Sequence, residues 1–467
     1  MDNANIETRR GSFHTPFDAA LDTISKNPGW AAVIEATVTT KSRELLESLF
    51  RVAVATAHPS RCLPPHLPEA PPRGRLIVLA AGKAAGSLTE VAEKHYAGLI
   101  AQGRLDGVAV ARHGYGRPTQ RVAMVEAGHP VPDEAGVAGT ERALALADGA
   151  SVDDLVLVLL SGGASANRIA PAAGITLAQK QATTRALLRS GANIGEINCV
   201  RKHLSRIKGG RLARRAAPAR VITLAISDVP GDDPAVIGSG PTVPDPTTLG
   251  DARAIVEKYR LDLPPAVTRA LADAGNESPK PGDPIFAAGA YHIMARPADA
   301  LAAAQQRARE AGYDCIVLGD RLQGEAREVA AEHARLARDH AAAGRPMAIL
   351  SGGELTVTLK GGGRGGPNQE YALALAVHLA GAKGIAAMAA DTDGTDGGRG
   401  RPDDPAGAFI DDTTLFRAKG LGLVPAAFLA DNDSTGFFNA IGDLFVPGPT
   451  FTNVTDFRAI VVDRPVD

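Results

Sequence analysis

The sequence predicts an α/β protein with two domains, each a three-layer α/β/α unit built on a mainly parallel sheet. Three observations support this class. The chain has 467 residues, which exceeds one ordinary hydrophobic core. Short apolar runs alternate with helical stretches rich in alanine and leucine, as in parallel α/β proteins. A segment rich in proline and glycine, Leu261 to Pro284, separates two such groups and predicts the domain boundary.

Six continuously apolar runs are predicted as buried parallel strands, because helices on both faces leave no polar side. In chain order they are RLIVLAAG, DLVLVLLSGG, ARVITLAISD, YDCIVLGD, PMAILSGG and KGIAAMAAD. Each ends in glycine, serine or aspartate, which suit strand-to-helix turns. Predicted helices include RPADALAAAQQRAREAG and GEAREVAAEHARLARDHAAAG, each closed by a glycine. We expect domains over residues 12–265 and 285–467.

The composition excludes several classes of partner. Fifty basic residues balance 52 acidic ones, so no positive excess indicates nucleic acid or an anionic membrane. No apolar run approaches the roughly 20 residues that span a bilayer, and the N-terminus has no signal-peptide core. We therefore expect a soluble cytoplasmic protein, either a monomer or a homodimer.

Cys62, Cys199 and Cys315 lack C-x-x-C spacing, which favours unbridged thiols over disulfides or zinc.

Two of the apolar runs end in Ser-Gly-Gly, at VLVLLSGGASA and at MAILSGGE. In open parallel sheets ligands bind beyond the carboxyl ends of strands, where glycine allows close approach and helix N-termini offer N–H donors to anions. We expect the two turns to be two walls of one cleft. The first should form a backbone cradle for phosphate from Ser161, Gly162, Gly163, Ala164 and Ser165.

A lysine and a histidine lie in turns that follow predicted strands. Lys83 sits among small residues in LAAGKAAGS, where it can reach a phosphate as a mobile charge; the alternative is a solvated lysine at a helix start. The loop is not a Walker A motif, because the glycine spacing and the following Ser/Thr are absent. Two prolines in AGHPVPDEAG hold His129 on a stiff path; a rigid surface loop is the alternative.

The segment NCVRKHLSRIKGGRLARR concentrates positive charge. If it is a helix, Lys208 lies about two turns from Arg201 and a positive face forms; a solvated basic face is the alternative. We expect Arg201 to bind substrate. The residues expected at the phosphates are Lys202, Lys208, Gly209 and Gly210.

Acidic turns follow two of the predicted strands. Asp228 ends one strand, and Asp232 and Asp233 follow it in a loop rich in glycine and proline; Asp391 begins AADTDGTDGG after another. Because Mg²⁺ prefers oxygen ligands and keeps waters and phosphates, we expect Asp232, Asp233 and Asp391 to bind metal. The alternative is that these acidic segments are turns that bind no ligand. The second is not an EF-hand, because a strand precedes it and the twelfth position lacks Glu.

Arg364 is surrounded by glycines in LKGGGRGGPNQEYALALAV. Such a loop lets the side chain enter a cleft, and Pro367 suits the first turn of the following helix. The glycines formally satisfy G-x-G-x-x-G, a dinucleotide fingerprint, but a loop this rich in glycine matches that pattern by chance. We expect Arg364 to be catalytic, with Asn368 and Glu370 at the substrate. Replacement of Arg364 or of Lys83 should leave the fold intact, since both lie on loops.

These motifs together resemble the class II glycerate kinase family, whose C-terminal half is called the MOFRL domain. In order they are AAGKAA, AGHPVPDE, LSGGASA, GANIGEINCVRKHLSRIKGGRLA, SDVPGDDPAVIGSGPTVPD, GEAREVA, LSGGE, GRGGPNQE, DTDGTDG and TGFF. The resemblance runs from about Asp18 to the end of the chain. One segment, RGRPDDPAGAFID, replaces a link that is usually shorter in the family and alters the surroundings of Asp403 and Asp404.

The resemblance implies two α/β domains with a cleft between them, ATP as donor, a divalent cation such as Mg²⁺, and D-glycerate as acceptor. Its cleft lysine matches Lys83, its glycine-loop arginine matches Arg364, and the aspartate of S-D-V-P-G-D matches Asp228. We therefore expect phosphorylation of D-glycerate, with 2-phospho-D-glycerate the favoured product. The alternatives are an NAD(P)H-dependent hydroxypyruvate reductase, a name that family members often carry, and a binding module without turnover.

Overall fold

A computed structural model describes residues 38–398, 401 and 403–464. The expected start of the first domain at residue 12, and residues 399, 400 and 402 of the altered segment, lie outside these ranges. The strands are β1 Leu76–Ala81, β2 Leu105–Arg112, β3 Ala123–Ala127, β4 Leu155–Leu160, β5 Arg220–Ile226, β6 Ala290–Ala295, β7 Asp314–Val317, β8 Met347–Ser351, β9 Ile385–Asp391, β10 Gly407–Ile410, β11 Leu444–Phe445 and β12 Asp456–Val462.

The helices surround two separate sheets. They are α1 Val38–Ala57, α2 Pro59–Cys62, α3 Ala85–His95, α4 Ala97–Ala101, α5 Glu134–Asp148, α6 Ala164–Asn167, α7 Leu177–Arg189, α8 Ile194–His203, α9 Arg211–Ala216, α10 Leu249–Lys258, α11 Pro265–Ala272, α12 Pro297–Glu310, α13 Ala326–Ala342, α14 Pro367–Leu379, α15 Thr414–Gly420, α16 Pro425–Asp431 and α17 Ser434–Ile441. Short 3₁₀ turns cover Pro64–His66, Ile237–Ser239, Ala274–Asn276 and Pro284–Phe286.

The first sheet is parallel throughout, with the order β3-β2-β1-β4-β5-β6. Strands β1 and β4 are buried at every position, because helices cover both faces. The strand order reverses between β1 and β4, and in such sheets ligands bind at this switch point, beyond the carboxyl ends of the strands. The turns after β1 and β4 are therefore the expected position of a site.

The second sheet has the order β11-β10-β9-β12-β8-β7. Strands β7, β8, β9 and β11 run in one direction, whereas β10 and β12 are antiparallel to their neighbours. The α/β class with two sheets covered by helices is confirmed. The six predicted runs are β1, β4, β5, β7, β8 and β9, and both predicted helices form, as α12 and α13.

The boundary between the two sheets differs from the expected one at two places. Strand β6 falls in the range expected for the second domain, yet it pairs with β5 at the edge of the first sheet. Helix α1 precedes the first sheet but packs on the second, where the Phe50 ring lies 5.0 Å from that of Phe445 and 6.0 Å from that of Phe457. Strand β6 pairs with the free edge of β5, and the apolar face of α1 packs on aromatic side chains of the second sheet.

Helices α7, α8, α10 and α11 share a small core of their own beside the first sheet. Helix α8 begins with a capping box, in which Asn193 and Glu196 bond each other's backbone N–H groups. It ends at His203, so Lys208 lies beyond the helix and not two turns along it from Arg201, as the sequence had led us to expect. No helix of the described part of the chain is long and apolar enough to cross a membrane.

Candidate active site

The two sheets meet at the carboxyl ends of β1, β4 and β5. Lys83, directly after β1, places its ammonium Nζ 2.6 Å from Oδ2 of Asp393, which follows β9 of the other sheet. The Lys83 backbone N–H donates to the carbonyl oxygen of Gly162 at 2.8 Å, which ties the turn after β1 to the turn after β4. The Asp393 side chain is buried and that of Lys83 is largely so, at 1% and 11% exposure, so solvent screens this ion pair little.

Neighbouring charges decide the ionisation of this pair. Burial alone would lower the pKa of Lys83, but the Asp393 and Asp391 carboxylates raise it above its ordinary value. Burial alone would raise the pKa of Asp393, but Lys83 lowers it. The pKa of Asp391 is raised well above its ordinary value by burial and by the charge of Asp393. Asp393 is therefore charged, and the neighbouring Asp391 keeps its proton to a higher pH.

Arg112, at the end of β2, is a second positively charged residue that contacts the Asp393 carboxylate, as Lys83 does. Its Nη1 lies 3.4 Å from the Asp393 carboxylate and donates to Thr395 Oγ1 at 2.9 Å. The guanidinium lies 5.1 Å from the centre of the Tyr115 ring, and the Tyr115 hydroxyl donates to the Asp393 carbonyl oxygen at 3.1 Å. Asp393 is thus held by its backbone and its side chain, between two positive charges.

The first Ser-Gly-Gly turn packs tightly between loops of both sheets. A Cβ on Gly162 would lie 2.1 Å from Asp228 Oδ2 and 2.1 Å from Asn453 Nδ2, a distance that no side chain tolerates. Gly82 has a φ of +114°, and a Cβ on it would lie 2.4 Å from Ser161 Oγ. The Ser161 hydroxyl accepts a hydrogen bond from the Ala84 N–H at 2.9 Å. Glycine is therefore required here for close approach of the loops.

Asp228, after β5, is held across the junction between the sheets. Its Oδ2 accepts a hydrogen bond of 2.9 Å from Nδ2 of Asn453, which precedes β12. Burial raises the pKa of Asp228, an effect that Lys83 opposes. The result is a carboxylate whose orientation is fixed by the second sheet and whose pKa is moved toward neutral pH, which suits a group that accepts a proton.

His129 lies against the same turn. A Cβ on Gly163 would lie 3.1 Å from His129 Cδ2 and 3.3 Å from Lys83 Cγ. Burial and the positive charges of Lys83 and Arg112 lower the pKa of His129 to about 3. The imidazole is therefore neutral at physiological pH and offers a hydrogen bond, not a positive charge.

Two lysines predicted at the phosphates are engaged with the protein itself. Lys202 lies 3.2 Å from Oδ1 of the buried Asp245. The buried Lys208 donates to the Ser165 carbonyl oxygen at 2.8 Å and to the Ser239 hydroxyl at 3.3 Å. Lys208 thus supports the first Ser-Gly-Gly turn through Ser165, and Lys202 is neutralised by a carboxylate.

The segment contains three further residues that were predicted to contact phosphate or substrate, namely Gly209, Gly210 and Arg201. The N–H groups of Gly209 and Gly210 donate to the carbonyl oxygens of Ser239 and Gly240, so they form a turn and are not free for phosphate. Arg201 is half-buried, and its side chain makes a single polar contact among the described residues, from Nη1 to the Asn198 side chain at 3.3 Å. Arg201, like Lys208, has no carboxylate partner among the described residues.

The second Ser-Gly-Gly turn, Ser351–Gly353, faces the same carboxylates. The buried Arg458 donates to the Gly353 carbonyl oxygen at 3.0 Å and to Asp456 Oδ2 at 2.9 Å. Glu354, the next residue, keeps contact with solvent, yet partial burial and the charges of Asp228 and Asp456 raise its pKa to about 7. Glu354, at the end of the second turn, is therefore near enough to Asp228 and Lys83 for its pKa to respond to their charges.

Arg364 is exposed on its glycine-rich loop. The loop is fixed through its backbone, because the Arg364 N–H donates to Asp433 Oδ1 at 3.1 Å and its carbonyl oxygen accepts from the Thr435 N–H at 2.9 Å. A Cβ on Gly363 would lie 2.4 Å from that of Asp433. The side chain forms no ion pair with any described residue, so its charge is free to meet an incoming anion.

The remaining predicted substrate residues are buried in the second unit. Asn368 donates through Nδ2 to Asp456 Oδ1 at 2.8 Å and to Asp396 Oδ1 at 3.2 Å, which links the start of α14 to the cleft loops. Glu370 instead forms an ion pair with Arg327 away from this group. The structure therefore gives Asn368 a supporting position and does not bring Glu370 to the cleft.

The three predicted metal ligands do not come together. Asp232 lies 3.4 Å from Arg296, Asp233 accepts from the Ala235 N–H at 2.8 Å, and Asp391 accepts from the Asp393 N–H at 2.9 Å. Within the described ranges, no three His, Cys, Asp or Glu side chains form a group that could hold a metal ion. A turn geometry explains Asp233 and an ion pair explains Asp232.

Sequence reasoning missed three residues that complete the cleft. Asp393 stands in the acidic turn that the sequence singled out, but nothing local distinguishes it from Asp391. Arg112 ends an apolar run, GVAVAR, which a further strand prediction would have found. Asn453 carries no local signal, because its partner Asp228 is 225 residues away in the chain.

Comparison with known proteins agrees with this arrangement. Residues 45–272 match a domain of unknown function, DUF4147, and residues 347–456 match the MOFRL family. The chain is 38% identical over 419 residues to the D-glycerate 2-kinase of Thermotoga maritima, covering 89% of this chain and 97% of that protein. It is 47% identical over 427 residues to an Agrobacterium vitis protein with the provisional name hydroxypyruvate reductase, covering 90% and 94%.

A solved structure extends the likeness to three dimensions. The crystal structure of the glycerate kinase of Thermotoga maritima superposes with a TM-score of 0.79 at 36% identity, covering 91% of this chain and all of that one. The likeness therefore spans both sheets and the cleft between them. This chain belongs to the class II glycerate kinase family, with a C-terminal MOFRL domain.

Proposed function

We propose that the protein transfers a phosphoryl group from ATP to D-glycerate and forms 2-phospho-D-glycerate. The observation that carries this proposal is the buried Lys83 ammonium, which is paired with Asp393 and flanked by Asp228 where the two sheets meet. Phosphoryl transfer requires positioning and neutralisation of charge more than covalent chemistry. A fixed cation beside a carboxylate of raised pKa supplies both.

Each side of the cleft has a role in this scheme. The first Ser-Gly-Gly turn offers the N–H groups of Gly162 and Gly163 to phosphate oxygens, because those of Ser161 and Ala164 already donate to carbonyl oxygens. Lys208 stabilises the turn through Ser165. Lys83 neutralises charge on the transferred group. Asp228 orients the acceptor hydroxyl and takes its proton, for which its raised pKa suits it. His129, neutral and next to Lys83, donates a hydrogen bond to the substrate.

Arg364 completes the site from the second unit. Its loop is anchored at Asp433 while its side chain remains exposed, so the guanidinium can reach an anion that enters the cleft. An arginine grips a carboxylate through two parallel hydrogen bonds. If Arg364 or Arg201 grips the glycerate carboxylate beside the phosphates, the adjacent C2 hydroxyl lies nearer the phosphorus than the C3 hydroxyl, which favours the 2-phospho product.

A divalent cation fits this site only together with the nucleotide. The carboxylates that remain near Lys83 are Asp228 and Asp391, and Mg²⁺ commonly uses one or two carboxylates with waters and phosphate oxygens as its other ligands. Asp391 would hold it, because Asp228 is assigned to the acceptor hydroxyl. The cation supplies neutralisation of phosphate charge when it is bound. Asp232 is paired with Arg296 instead, and neither it nor Asp233 is among the carboxylates whose charges act most strongly on Lys83.

The names of some relatives favour a second candidate, hydroxypyruvate reduction with a nicotinamide. The glycine pattern that would support it does not have the required setting. A dinucleotide fingerprint begins in the tight turn directly after a strand, whereas residues 352–360 separate Gly361 from the end of β8. Gly363 and Gly361 pack instead on Asp433 and Asp431. We therefore favour the kinase.

A paired assay separates the two candidates. ADP release is measured with ATP, Mg²⁺ and D-glycerate, and NADH oxidation is measured with hydroxypyruvate, for the natural protein and for Lys83→Met. We expect ADP release that depends on glycerate and is lost in Lys83→Met, with no NADH oxidation above background. NADH oxidation without ADP release would establish the reductase instead.

A further inference from the structure

Arg168 is a buried positive charge that the site described so far does not use. It follows α6 at the end of the first Ser-Gly-Gly turn and is only 3% exposed. Its Nη1 has no hydrogen-bond partner, and no ion pair of the described residues includes it. Burial lowers its pKa to about 10, which leaves it charged at neutral pH. An unpaired buried guanidinium is costly to the fold.

Other buried arginines of the described residues have at least one acceptor, although Arg112 Nε is also without a partner. Arg458 bonds a carboxylate and two backbone carbonyl oxygens. Arg211 donates to the carbonyl oxygens of Lys202 and Lys208. Arg112 pairs with Asp393. Arg168 differs from these three, because no hydrogen bond or ion pair of the described residues engages its guanidinium.

The surroundings of Arg168 add a second donor without a partner. The Tyr291 hydroxyl is buried and makes no hydrogen bond within the described structure. Burial raises the pKa of Tyr291, as do the nearby charges of Asp233 and Asp228, whereas Arg168 opposes them. Tyr291 is thus near enough to both Arg168 and Asp228 for its pKa to respond to their charges.

Several basic side chains lie close together on this side of the cleft. Burial lowers the pKa of Lys208 well below its ordinary value, and the charges of Arg201, Lys180 and Arg168 lower it further. Arg201 contacts only an amide oxygen. Arg168 and Arg201 have no carboxylate partner among the described residues, whereas Lys208, with its lowered pKa, contributes less positive charge.

We propose that Arg168 and Tyr291 form an anion subsite that binds a carboxylate or phosphate group of a substrate beside Asp228. The proposal rests on the proposed function for the identity of that substrate. A guanidinium fork and a phenolic hydroxyl are both donors, and an anion that accepts from them offsets the cost of the buried charge. The shared chemistry fits the carboxylate of glycerate and a phosphate of the nucleotide.

Kinetics of three variants test the subsite and identify its occupant. Arg168→Met removes the charge, Arg168→Lys keeps the charge without the fork, and Tyr291→Phe removes only the hydroxyl; Arg215→Met, at an exposed pair with Asp148, is the control. We expect Arg168→Met to raise the KM of one substrate by about tenfold or more, because a lost hydrogen bond to a charged group has this effect. Arg168→Lys and Tyr291→Phe should raise the same KM less.

The affected substrate distinguishes the two sources of the anion. A raised KM for D-glycerate alone identifies the carboxylate, and a raised KM for ATP alone identifies a phosphate. Unchanged KM values for both substrates in Arg168→Met would overturn the proposal, as would a lower melting temperature with unchanged KM values, which marks a structural arginine. Should Arg168→Met fail to fold, Arg168→Lys and Tyr291→Phe decide by the same criterion.

Binding without turnover separates this proposal from the proposed function. The melting temperatures of the natural protein and of Arg168→Met are compared with and without D-glycerate, and with and without inorganic phosphate. We expect one of these anions to stabilise the natural protein and to stabilise Arg168→Met much less, even if no phosphoryl transfer occurs. Equal shifts in both proteins, or no shift in the natural one, would refute the subsite.

Discussion

The Lys83 ammonium lies 2.6 Å from the Asp393 carboxylate, and this buried ion pair joins the loop after β1 of one sheet to the loop after β9 of the other. The same contact fixes the cation that the proposed reaction needs and the relative position of the two walls of the cleft. Binding of a phosphate next to Lys83 therefore acts on the junction between the sheets as well as on the ligand.

Removal of Lys83 should lower both activity and stability. Loss of one fixed charge at a transition state costs on the order of 10²-fold in rate. A buried ion pair that loses one partner destabilises a protein by about 3–5 kcal/mol, so Lys83→Met should melt earlier, although its loop position alone had suggested an intact fold. The measurements are kcat and urea unfolding, with exposed Lys94→Met as the control.

A double variant separates these two effects. Lys83→Met with Asp393→Asn removes both charges, so most of the lost stability should return while activity stays low. If the single variant instead keeps near natural rates, the assignment of Lys83 to the phosphoryl group is wrong.

Arg364→Ala should reduce activity without changing stability. The side chain is exposed, and the loop is held by backbone contacts with Asp433 and Thr435 that alanine retains. We expect an unchanged melting temperature and a loss of roughly 10²-fold in kcat/KM. Lys360→Ala, in the same loop, is the matched control. An unfolded Arg364→Ala protein would point to a structural role for the arginine.

Asn453→Ala should move the pH profile of the reaction. The hydrogen bond from Asn453 favours the charged form of Asp228 and so lowers its pKa. Its loss raises that pKa, and because a base must be deprotonated, the acidic limb of kcat should shift to higher pH. The control is Asn276→Ala, whose amide contacts only the Ala270 carbonyl oxygen. An unshifted limb with normal kcat would show that Asp228 does not need this support.

The sequence predicts the central strands well because a parallel strand covered on both faces is continuously apolar, as β1 and β4 are. It does not predict β6 as part of the first sheet, because pairing with β5 is a long-range choice made after a proline-rich connection. Helix α1 poses the same problem. Its apolar face is visible in the sequence, but the partner rings of Phe445 and Phe457 lie about 400 residues away along the chain.

The site residues likewise differ in whether a local sequence pattern or only the fold identifies them. Lys83, Asp228 and the first Ser-Gly-Gly turn follow strands and are found from local pattern. Lys202 and Lys208 were assigned to phosphate from charge alone, and the structure gives them protein partners that local pattern cannot reveal. Asn453 acts through a residue far away in the chain, so only the fold brings it to the site.

Lys180 should make the stability of the protein depend on pH. It is buried, it donates to the carbonyl oxygens of Arg201 and Leu204, and burial together with the charges of Arg201 and Arg211 lowers its pKa to about 7 from 10.5. Between these values the unfolded chain binds the proton more strongly, so the contribution to stability rises with pH and is lost as pH falls toward 7.

Urea unfolding between pH 7 and 10 measures this effect. Lys180→Met should flatten the rise by on the order of a few kcal/mol, whereas exposed Lys419→Met should keep the natural slope. Identical slopes in the natural protein and in Lys180→Met would mean that Lys180 is not the group that titrates.

Phosphorus NMR of the complete reaction tests the central proposal most directly. ATP, Mg²⁺ and D-glycerate are incubated with the protein, and a parallel sample contains excess chelator. We predict one new phosphomonoester signal that proton coupling splits into a doublet, as a secondary ester at C2 requires, and no such signal in the chelated sample. A triplet would assign the phosphate to C3 and contradict the proposed pose, and the absence of any new ester would contradict the kinase itself.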